Sequence, residues 1–300
     1  MYAPVALFVY SRLAHTQRTI QSLTSCHGAD QTHLIIFSDG PKTKDDYKSV
    51  SDVRNFIGSI SGFKSVTINF QQENRGLAKS IILGVTNVFE RYERVIIIED
   101  DLIFHKNFLL TINNMLEKYS TLQNIGSVTG YSLPINLPKS YVYDFYFTFR
   151  HSSWGWGTWK KVWDNVDWQM NDSKEFLNNP NSLRKFKRGG PDLLNILKKQ
   201  INGQIDSWSI IFDYNMCNKE LISVCPRLNL VQNTGFDGSG IHCGTTNNYD
   251  NEMPMENIKE ANIYPDTILI DRQIEIKTYN FFKRKISQKI KKLFLTLKFY

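Results

Sequence analysis

RVIIIEDD, residues 94–101, is an apolar run that leads directly into Glu99, Asp100 and Asp101. A short continuous run of apolar residues bounded by polar ones predicts a strand buried inside a sheet. Adjacent carboxylates at the rim of such a sheet repel one another and lose hydration, so they are unfavourable unless a positive group neutralises them. Mg²⁺ or Mn²⁺ fits this need, because these ions prefer oxygen ligands, often one or two carboxylates with water and substrate phosphates. The alternative is a solvated turn from strand to loop.

The chain before this motif alternates apolar runs with amphipathic stretches. These patterns predict strands over 5–10, 33–39, 65–71 and 94–100, and helices over 14–25, 45–60 and 77–92. Such a series predicts an α/β fold with a mostly parallel sheet flanked by helices, which binds its ligand at the carboxyl ends of the strands. Three strands end in polar residues: Tyr10-Ser11-Arg12, Ser38-Asp39-Gly40 and Glu99-Asp100-Asp101.

The second half of the chain is less regular. It contains predicted helices over 107–119, near 192–200 and over 205–220, an aromatic-rich region over 141–163, a short strand near 221–225 and a Gly/Asn-rich loop over 232–248. Because no repeat or low-complexity linker interrupts it, we expect 102–270 to extend the domain begun by 1–101. The predicted organisation is one domain over 1–270 and a tail over 271–300.

Composition excludes several classes of protein. Apolar residues make up 41% and charged residues 22% of the 300 residues, which is typical of a globular chain and not of disordered, collagenous or coiled-coil proteins. No apolar run approaches the roughly 18 residues of a membrane span, and the first residues lack a basic region and cleavage site. Four cysteines form no CxxC pair, which favours reduced thiols. We therefore expect a cytoplasmic protein that is neither secreted nor membrane-spanning.

The positive charge lies in the tail. Residues 276–300 hold eight Lys or Arg and no acid, so the formal charge of +7 leaves −1 for the rest of the chain. Apolar residues recur there at helical spacing: Phe282, Ile286, Ile290, Leu293 and Leu297. A basic amphipathic helix of this kind predicts peripheral attachment to the anionic inner face of the cell membrane. The alternatives are a helix docked on the domain and an oligomer contact, and without a recognition motif we expect no nucleic acid partner.

The ordered set of motifs resembles the GT-A glycosyltransferases, broadly family 2 and the N-acetylglucosaminyltransferase I group. The segments are VALFVYSR (5–12), IIFSDG (35–40), ENRGLAKSIILGVTNVF (73–89), RVIIIEDD (94–101), WGWGTWKKVW (154–163), IDSWS (205–209) and PRLNLVQNTGFDGSGIH (226–242). The resemblance implies a GT-A fold and an inverting, metal-dependent transfer of sugar from a nucleotide donor, a UDP-sugar, to a hydroxyl group. It further implies a glycan or lipid-linked glycan acceptor in bacterial surface-polysaccharide synthesis.

By this resemblance, each residue at the strand ends has a role. Asp101 would ligate Mn²⁺ or Mg²⁺ at the donor diphosphate, where the metal neutralises the leaving group. Asp100 would contact the ribose and Glu99 the donor sugar. Asp39 matches the position that reads the uracil edge, and Arg12 lies where a cation can reach the phosphates.

Further candidates surround the donor. Tyr10 precedes Arg12 at the same strand end. Arg75 and Lys79, one helical turn apart, add positive charge at the rim or form a solvated helix start. Trp154 and Trp156 are flanked by small residues, which favours open ring faces that stack on a sugar.

Inversion requires a carboxylate that takes the proton of the acceptor hydroxyl. Asp206 in IDSWS occupies the segment that holds the base in the similar family, although Ser207 replaces a second acid there. Asp213, two turns further along the predicted helix, is the competing candidate. His242, in the late Gly-rich loop, is a candidate metal or diphosphate contact, with loop anchoring as the alternative.

Two other classes of function compete with the glycosyltransferase hypothesis. A sugar nucleotidyltransferase on a related sheet usually carries a Gly-rich basic loop after the first strand, and VYSRLAHTQR (9–18) has none. A non-catalytic protein that binds nucleotide sugar or membrane would not need the acidic triplet together with Asp206.

Overall fold

A computed structural model describes residues 2–238, 249–254 and 262–297, with side chains up to Arg284. The strands are β1 Val5–Val9, β2 His33–Ser38, β3 Ser65–Phe70, β4 Arg94–Glu99, β5 Leu102–Phe104, β6 Ile125–Thr129, β7 Phe145–Thr148, β8 Trp156–Trp159, β9 Ile222–Pro226 and β10 Val231–Asn233. The α-helices are α1 Leu13–Thr24, α2 Asp46–Ile57, α3 Leu77–Val88, α4 Phe108–Lys118, α5 Lys160–Trp163, α6 Ser173–Asn178, α7 Pro180–Phe186, α8 Leu193–Ile201, α9 Trp208–Asn218 and α10 Arg272–Leu297.

The central sheet has eight strands in the order β3-β2-β1-β4-β8-β6-β9-β7. The first four run parallel, as the alternating pattern of the first hundred residues predicts. Strand β8 runs antiparallel between β4 and β6, and β7 runs antiparallel at the far edge, next to β9. The α/β class with a mostly parallel sheet flanked by helices and a C-terminal helix is therefore confirmed.

Helix α3 shows why the first half packs so closely. Its apolar stripe, predicted to face inward, is buried: Ile81, Val85, Val88 and the following Phe89. Between these positions, Gly84 lies against the stacked rings of Phe8 and Phe37, and a Cβ atom there would come within 2.6 Å of Phe8. The missing side chain lets the helix approach β1 and β2 closely, which stabilises the sheet edge that carries Arg12 and Asp39.

The second half adds layers to the same sheet. One apolar cluster contains buried residues from both halves of the chain, from Ala3 to Val231. A smaller cluster joins α6, α7, α8 and α9 around Phe176, Leu197 and Tyr214. Strands β10 and β5 pair antiparallel, so that Asn233 lies opposite Leu102, directly after the acidic motif. This pairing brings the segment after β10 to the carboxyl end of β4.

The C-terminal helix begins on the domain. Ile274, Thr278 and Phe282, spaced four residues apart on α10, are buried, and the guanidinium of Arg150 lies 3.7 Å over the ring of Phe282. The prediction that Phe282 belongs to a membrane-facing stripe is therefore wrong, because helical periodicity identifies an apolar face and not what covers it. Within the described ranges, no helix combines the length and apolar content needed to cross a membrane.

Candidate active site

The strand ends singled out by the sequence meet at one edge of the sheet. Strands β2, β1 and β4 are consecutive neighbours and run parallel, so the residues that follow them, Asp39, Arg12 and Asp100, emerge on the same side. In an open parallel sheet this carboxyl edge is where ligands bind. The structure therefore brings most of the predicted donor-binding residues into one region.

Arg12 is the cation of this site. One guanidinium nitrogen, Nη2, donates to Asp100 Oδ1 and, at 2.9 Å, to Asp101 Oδ2. Burial works against the charge of Arg12, but the two carboxylates more than offset that effect and raise its pKa. We expected Arg12 to reach substrate phosphates, whereas in the structure it neutralises the acidic motif.

The acidic motif remains electrostatically crowded despite Arg12. Burial, followed by the nearby charges of Asp101 and Asp100, raises the pKa of Glu99 to about 8. Burial also raises the pKa of Asp100, although Arg12 opposes the shift. Both effects favour the protonated form of Glu99, which can donate a hydrogen bond. A further positive charge entering the site would favour ionisation of Glu99 and Asp100.

The segment after β10, residues 234–238, covers Asp101. Thr234 donates to the backbone oxygen of Asp101 through both its N–H and its hydroxyl, at 2.8 and 3.0 Å. A Cβ atom on Gly235 would lie 2.2 Å from Asp101 Oδ2, so only glycine allows this approach. Asp237 Oδ2 lies 3.1 Å from Nε2 of the buried His15. These contacts fix the segment at Thr234, near its start, and at Asp237, near its end.

Sequence reasoning missed His15, Thr234 and Gly235 as parts of this site. The signal for His15 was available, because it lies three residues after Arg12 and such residues share a helix face. Thr234 and Gly235 lie in the quoted segment 226–242, but their position depends on the pairing of β10 with β5, which has no local signature.

Asp39 has a structural role in this state. Its carboxylate accepts hydrogen bonds from the backbone N–H groups of Gly40, Arg75 and Gly76 at 2.9 to 3.2 Å. These bonds hold the turn before α3 against the end of β2. Reading of a base edge by Asp39 stays a prediction, and it requires the carboxylate to exchange some of these partners.

The remaining donor-side candidates lie nearby with different exposure. The hydroxyl of Tyr10 accepts a hydrogen bond from the backbone N–H of Lys42 at 2.9 Å, which fixes the loop after β2. Arg75 and Lys79 are exposed at the start of α3. Neither forms an ion pair with any residue in the described part of the chain. They are free to approach an anionic ligand, and their role stays a prediction.

The two tryptophans of the WGW motif have opposite environments. Trp154 is half-buried and joins an aromatic cluster with Tyr131, Phe236 and Tyr249. Because Phe236 belongs to the segment that covers Asp101, this cluster borders the acidic motif. Trp154 therefore remains a candidate for stacking on a sugar.

Trp156 is fully buried, and the prediction of an open ring face is wrong for it. Its ring stacks on Trp208 with centroids 5.2 Å apart, and it also contacts His151 and Phe212. The physical reason is that α9 packs on the face of β8 that carries Trp156, with Trp208 and Phe212 against its ring, so the small neighbours in sequence open no pocket beside it.

The two candidate bases are also distinguished by exposure. Asp206 is exposed in the turn before α9, where the next residue, Ser207, donates its N–H to Gln200 Oε1 at 2.7 Å. Asp213 is 4% exposed within α9 and accepts the backbone N–H of His151 at 2.7 Å. Burial raises the pKa of Asp213 to about 7. Asp206 is thus the one an acceptor can reach, while Asp213 anchors the strand connection that carries Trp154.

The described residues of this site provide only part of a coordination shell for a divalent metal. Within the described ranges, no group of three or more His, Cys, Asp or Glu side chains has metal-binding geometry. His242 lies outside the described residues. Asp100 and Asp101 nonetheless offer adjacent hard oxygen donors, which suffice for Mg²⁺ or Mn²⁺ when phosphate and water complete the shell. Since Arg12 occupies these oxygens, a metal has to displace or share them.

No family model and no curated protein matches the chain. Among solved structures, similar ones include the mannosyltransferase PcManGT from Pyrobaculum calidifontis in complex with GDP-Man and Mn²⁺, at 13% identity and a TM-score of 0.39. The alignment covers 55% of this chain and 46% of that one. S. aureus TarS aligns at 13% identity and a TM-score of 0.38 over 56% of this chain and 30% of its own.

TarS residues 1–349, in complex with UDP-GlcNAc, align at 14% identity and a TM-score of 0.32 over 47% of this chain and 38% of that one. The chain thus spans less than half the length of each of these three structures. These likenesses identify no family for it.

Proposed function

We propose that the protein is an inverting, metal-dependent glycosyltransferase that moves a sugar from a nucleotide donor to a hydroxyl group. The observation that carries this proposal is the cluster of Arg12, Asp100 and Asp101 at the carboxyl edge of a parallel sheet. A cation beside two buried carboxylates is an arrangement that a metal and a diphosphate can enter together while every charge keeps a partner.

Binding of the donor divides the roles within this cluster. Asp101, with Asp100 beside it, would hold Mn²⁺ or Mg²⁺, which supplies positive charge against the leaving diphosphate. Arg12, released from the carboxylates, is then available to the phosphate oxygens, and Arg75 and Lys79 add positive charge from the start of α3. In this proposal, Glu99 and Trp154 contact the donor sugar.

Asp206 acts as the base in this proposal. Its exposed carboxylate takes the proton of the acceptor hydroxyl as that oxygen attacks the anomeric carbon from the side opposite the diphosphate, which inverts the configuration. The support is its position before α9, whose first residue Trp208 stacks on Trp156 in the strand that follows Trp154. A rigid aromatic stack therefore connects the base to the sugar-side tryptophan.

One assay separates this proposal from its competitors. The purified protein is incubated with Mn²⁺ and a panel of nucleotide sugars that includes GDP-Man and UDP-GlcNAc, which the similar structures bind. A glycosyltransferase releases a nucleoside diphosphate, slowly when the sugar is transferred to water and rapidly when the sugar is transferred to a suitable glycan. Release of pyrophosphate from a sugar phosphate and a nucleoside triphosphate would show a nucleotidyltransferase, and binding without release would show a non-catalytic protein.

The acceptor and the location are also part of the proposal. We infer that the acceptor is a glycan or lipid-linked glycan of a bacterial surface polysaccharide. The protein works at the inner face of the cell membrane, where the basic residues of 285–300 contact anionic lipid. The support for this location is the charge of that segment, since the preceding turns of α10 already pack on the domain.

A further inference from the structure

A second charged site lies away from the carboxyl edge of the sheet. Helix α7, with the helical turn Lys187–Gly189 that follows it, and the first turns of α10 border a cavity of about 600 Å³. Its cationic lining residues are Arg184, Lys187, Arg188 and Arg272. We call this cavity the α7–α10 groove.

The groove has an excess of positive charge. Its one carboxylate, Glu275, is 8% exposed and is already paired: Arg188 donates to both of its oxygens at 2.7 and 3.2 Å, and Arg272 donates at 3.0 Å. Arg184 and Lys187 are exposed and form no ion pair with any residue that the structure describes. Four cations against one carboxylate leave an attraction for an anion that the protein itself does not satisfy.

Part of the groove lining is apolar. It is formed by Leu183 on α7 and by Ile276 and Tyr279 on α10, and Ile276 is 45% exposed. An inorganic anion would leave these apolar side chains exposed to water. A molecule that joins a phosphate to glycerol and acyl carbon suits both kinds of lining residue, since the cations pair with the phosphate while apolar carbons cover the exposed apolar side chains.

The groove is also continuous with the basic tail. Helix α10 leaves it and leads through Lys283 and Arg284 into a stretch with five further lysines and no acid. We propose that the α7–α10 groove seats the phosphate headgroup of an anionic phospholipid. The domain thereby contributes a headgroup site of its own beside the tail, and this site is independent of the proposed transfer reaction.

The test compares two double variants of the full chain that lose the same charge. Arg184→Gln with Lys187→Gln removes the unpaired cations of the groove, and Lys198→Gln with Lys199→Gln removes two exposed lysines of α8 outside it. Binding is measured by co-sedimentation with vesicles of phosphatidylglycerol and phosphatidylcholine, and with phosphatidylcholine alone. The groove variant should bind anionic vesicles about 30-fold more weakly, which is about 2 kcal/mol at about 1 kcal/mol per basic residue.

The control variant should lose much less affinity. The wild type, the groove variant and the control variant should all fail to bind neutral vesicles. Hydrogen exchange should show protection of 180–190 on anionic vesicles in the wild type but not in the groove variant. Equal losses in the two variants, or unchanged exchange over 180–190, would overturn the proposal. Inorganic phosphate is the second arm: if it protects 180–190 at millimolar concentration while vesicles do not, the groove serves a free phosphate, and the lipid proposal is wrong.

Discussion

The packing of Phe282 leads to a direct test of where the domain ends. The ring is 3% exposed, and it lies under the guanidinium of Arg150 at 3.7 Å. Replacing a buried phenylalanine with alanine costs about 3–5 kcal/mol, because contacts are lost and a cavity remains. Loss of the cation–π contact adds about 1 kcal/mol to that cost. We expect Phe282→Ala to lower the free energy of unfolding by about 4–6 kcal/mol.

A matched variant separates these two contributions. Phe282→Leu keeps most of the buried apolar surface but removes the ring, so its cost should fall to about 1–2 kcal/mol. The variant Phe281→Leu, next along the helix, changes an aromatic residue outside the Arg150 contact and serves as the control. Urea unfolding followed by tryptophan fluorescence measures all three.

Truncation extends the same reasoning. A chain ending at Arg284 keeps Ile274, Thr278 and Phe282 and should unfold at the same urea concentration as the full chain, whereas one ending at Glu275 should be destabilised by at least as much as Phe282→Ala. The reasoning is refuted if Phe282→Ala costs under 1 kcal/mol, or if the chain ending at Glu275 is as stable as the full chain.

Two further predictions concern the proposed active site, and a third concerns the buried carboxyl group of Asp213. Asp101→Ala should abolish the Mn²⁺-dependent part of UDP affinity in titration calorimetry while the fold is kept; an undiminished metal effect would contradict the assignment. Asp206→Asn should keep donor affinity but lower the transfer rate by about 10²–10⁴-fold, and the wild type should give an inverted product by NMR; the control Asp164→Asn, in an exposed pair with Lys160, should transfer normally. Because folded Asp213 keeps its proton up to a pKa of about 7 while the unfolded chain releases it near 4, the free energy of unfolding should fall by about 3 kcal/mol between pH 4 and pH 7 on its account. Asp213→Asn should remove that fall, and urea unfolding at pH 5 and pH 7 checks it; an unchanged pH slope would mean that burial does not perturb this carboxyl.

The first half of the fold was predictable because its signals are local. Strands β1, β2 and β4 are apolar runs followed by polar residues, and β3 alternates polar and apolar residues. Each connecting helix carries its own apolar stripe, as Ile81 and Val85 show in α3. Parallel strands that neighbour one another place their ends together, so Arg12 could be placed near Asp100 without any coordinates.

The second half depends on contacts between residues far apart in sequence. The pattern around Trp156 is the same whether its face of the sheet is open or covered, and only the packing of Trp208 and Phe212 from α9 decides that the ring is buried. The stripe that contains Phe282 is equally ambiguous, because protein and membrane both accept an apolar face. Asp39 could not be read as a turn anchor, since its partners depend on how α3 starts.

The position of strand β8 in the sheet also determines when the sheet can form during synthesis of the chain. It hydrogen-bonds both β4 and β6, but residues 156–159 are translated after both of these strands. Until they leave the ribosome, the apolar strand β4 has one unpaired edge, which is the kind of edge that pairs with other chains and aggregates. The four parallel strands β1 to β4, although they lie within residues 1–101, therefore keep an unpaired edge on β4 until the WGW motif has been synthesised.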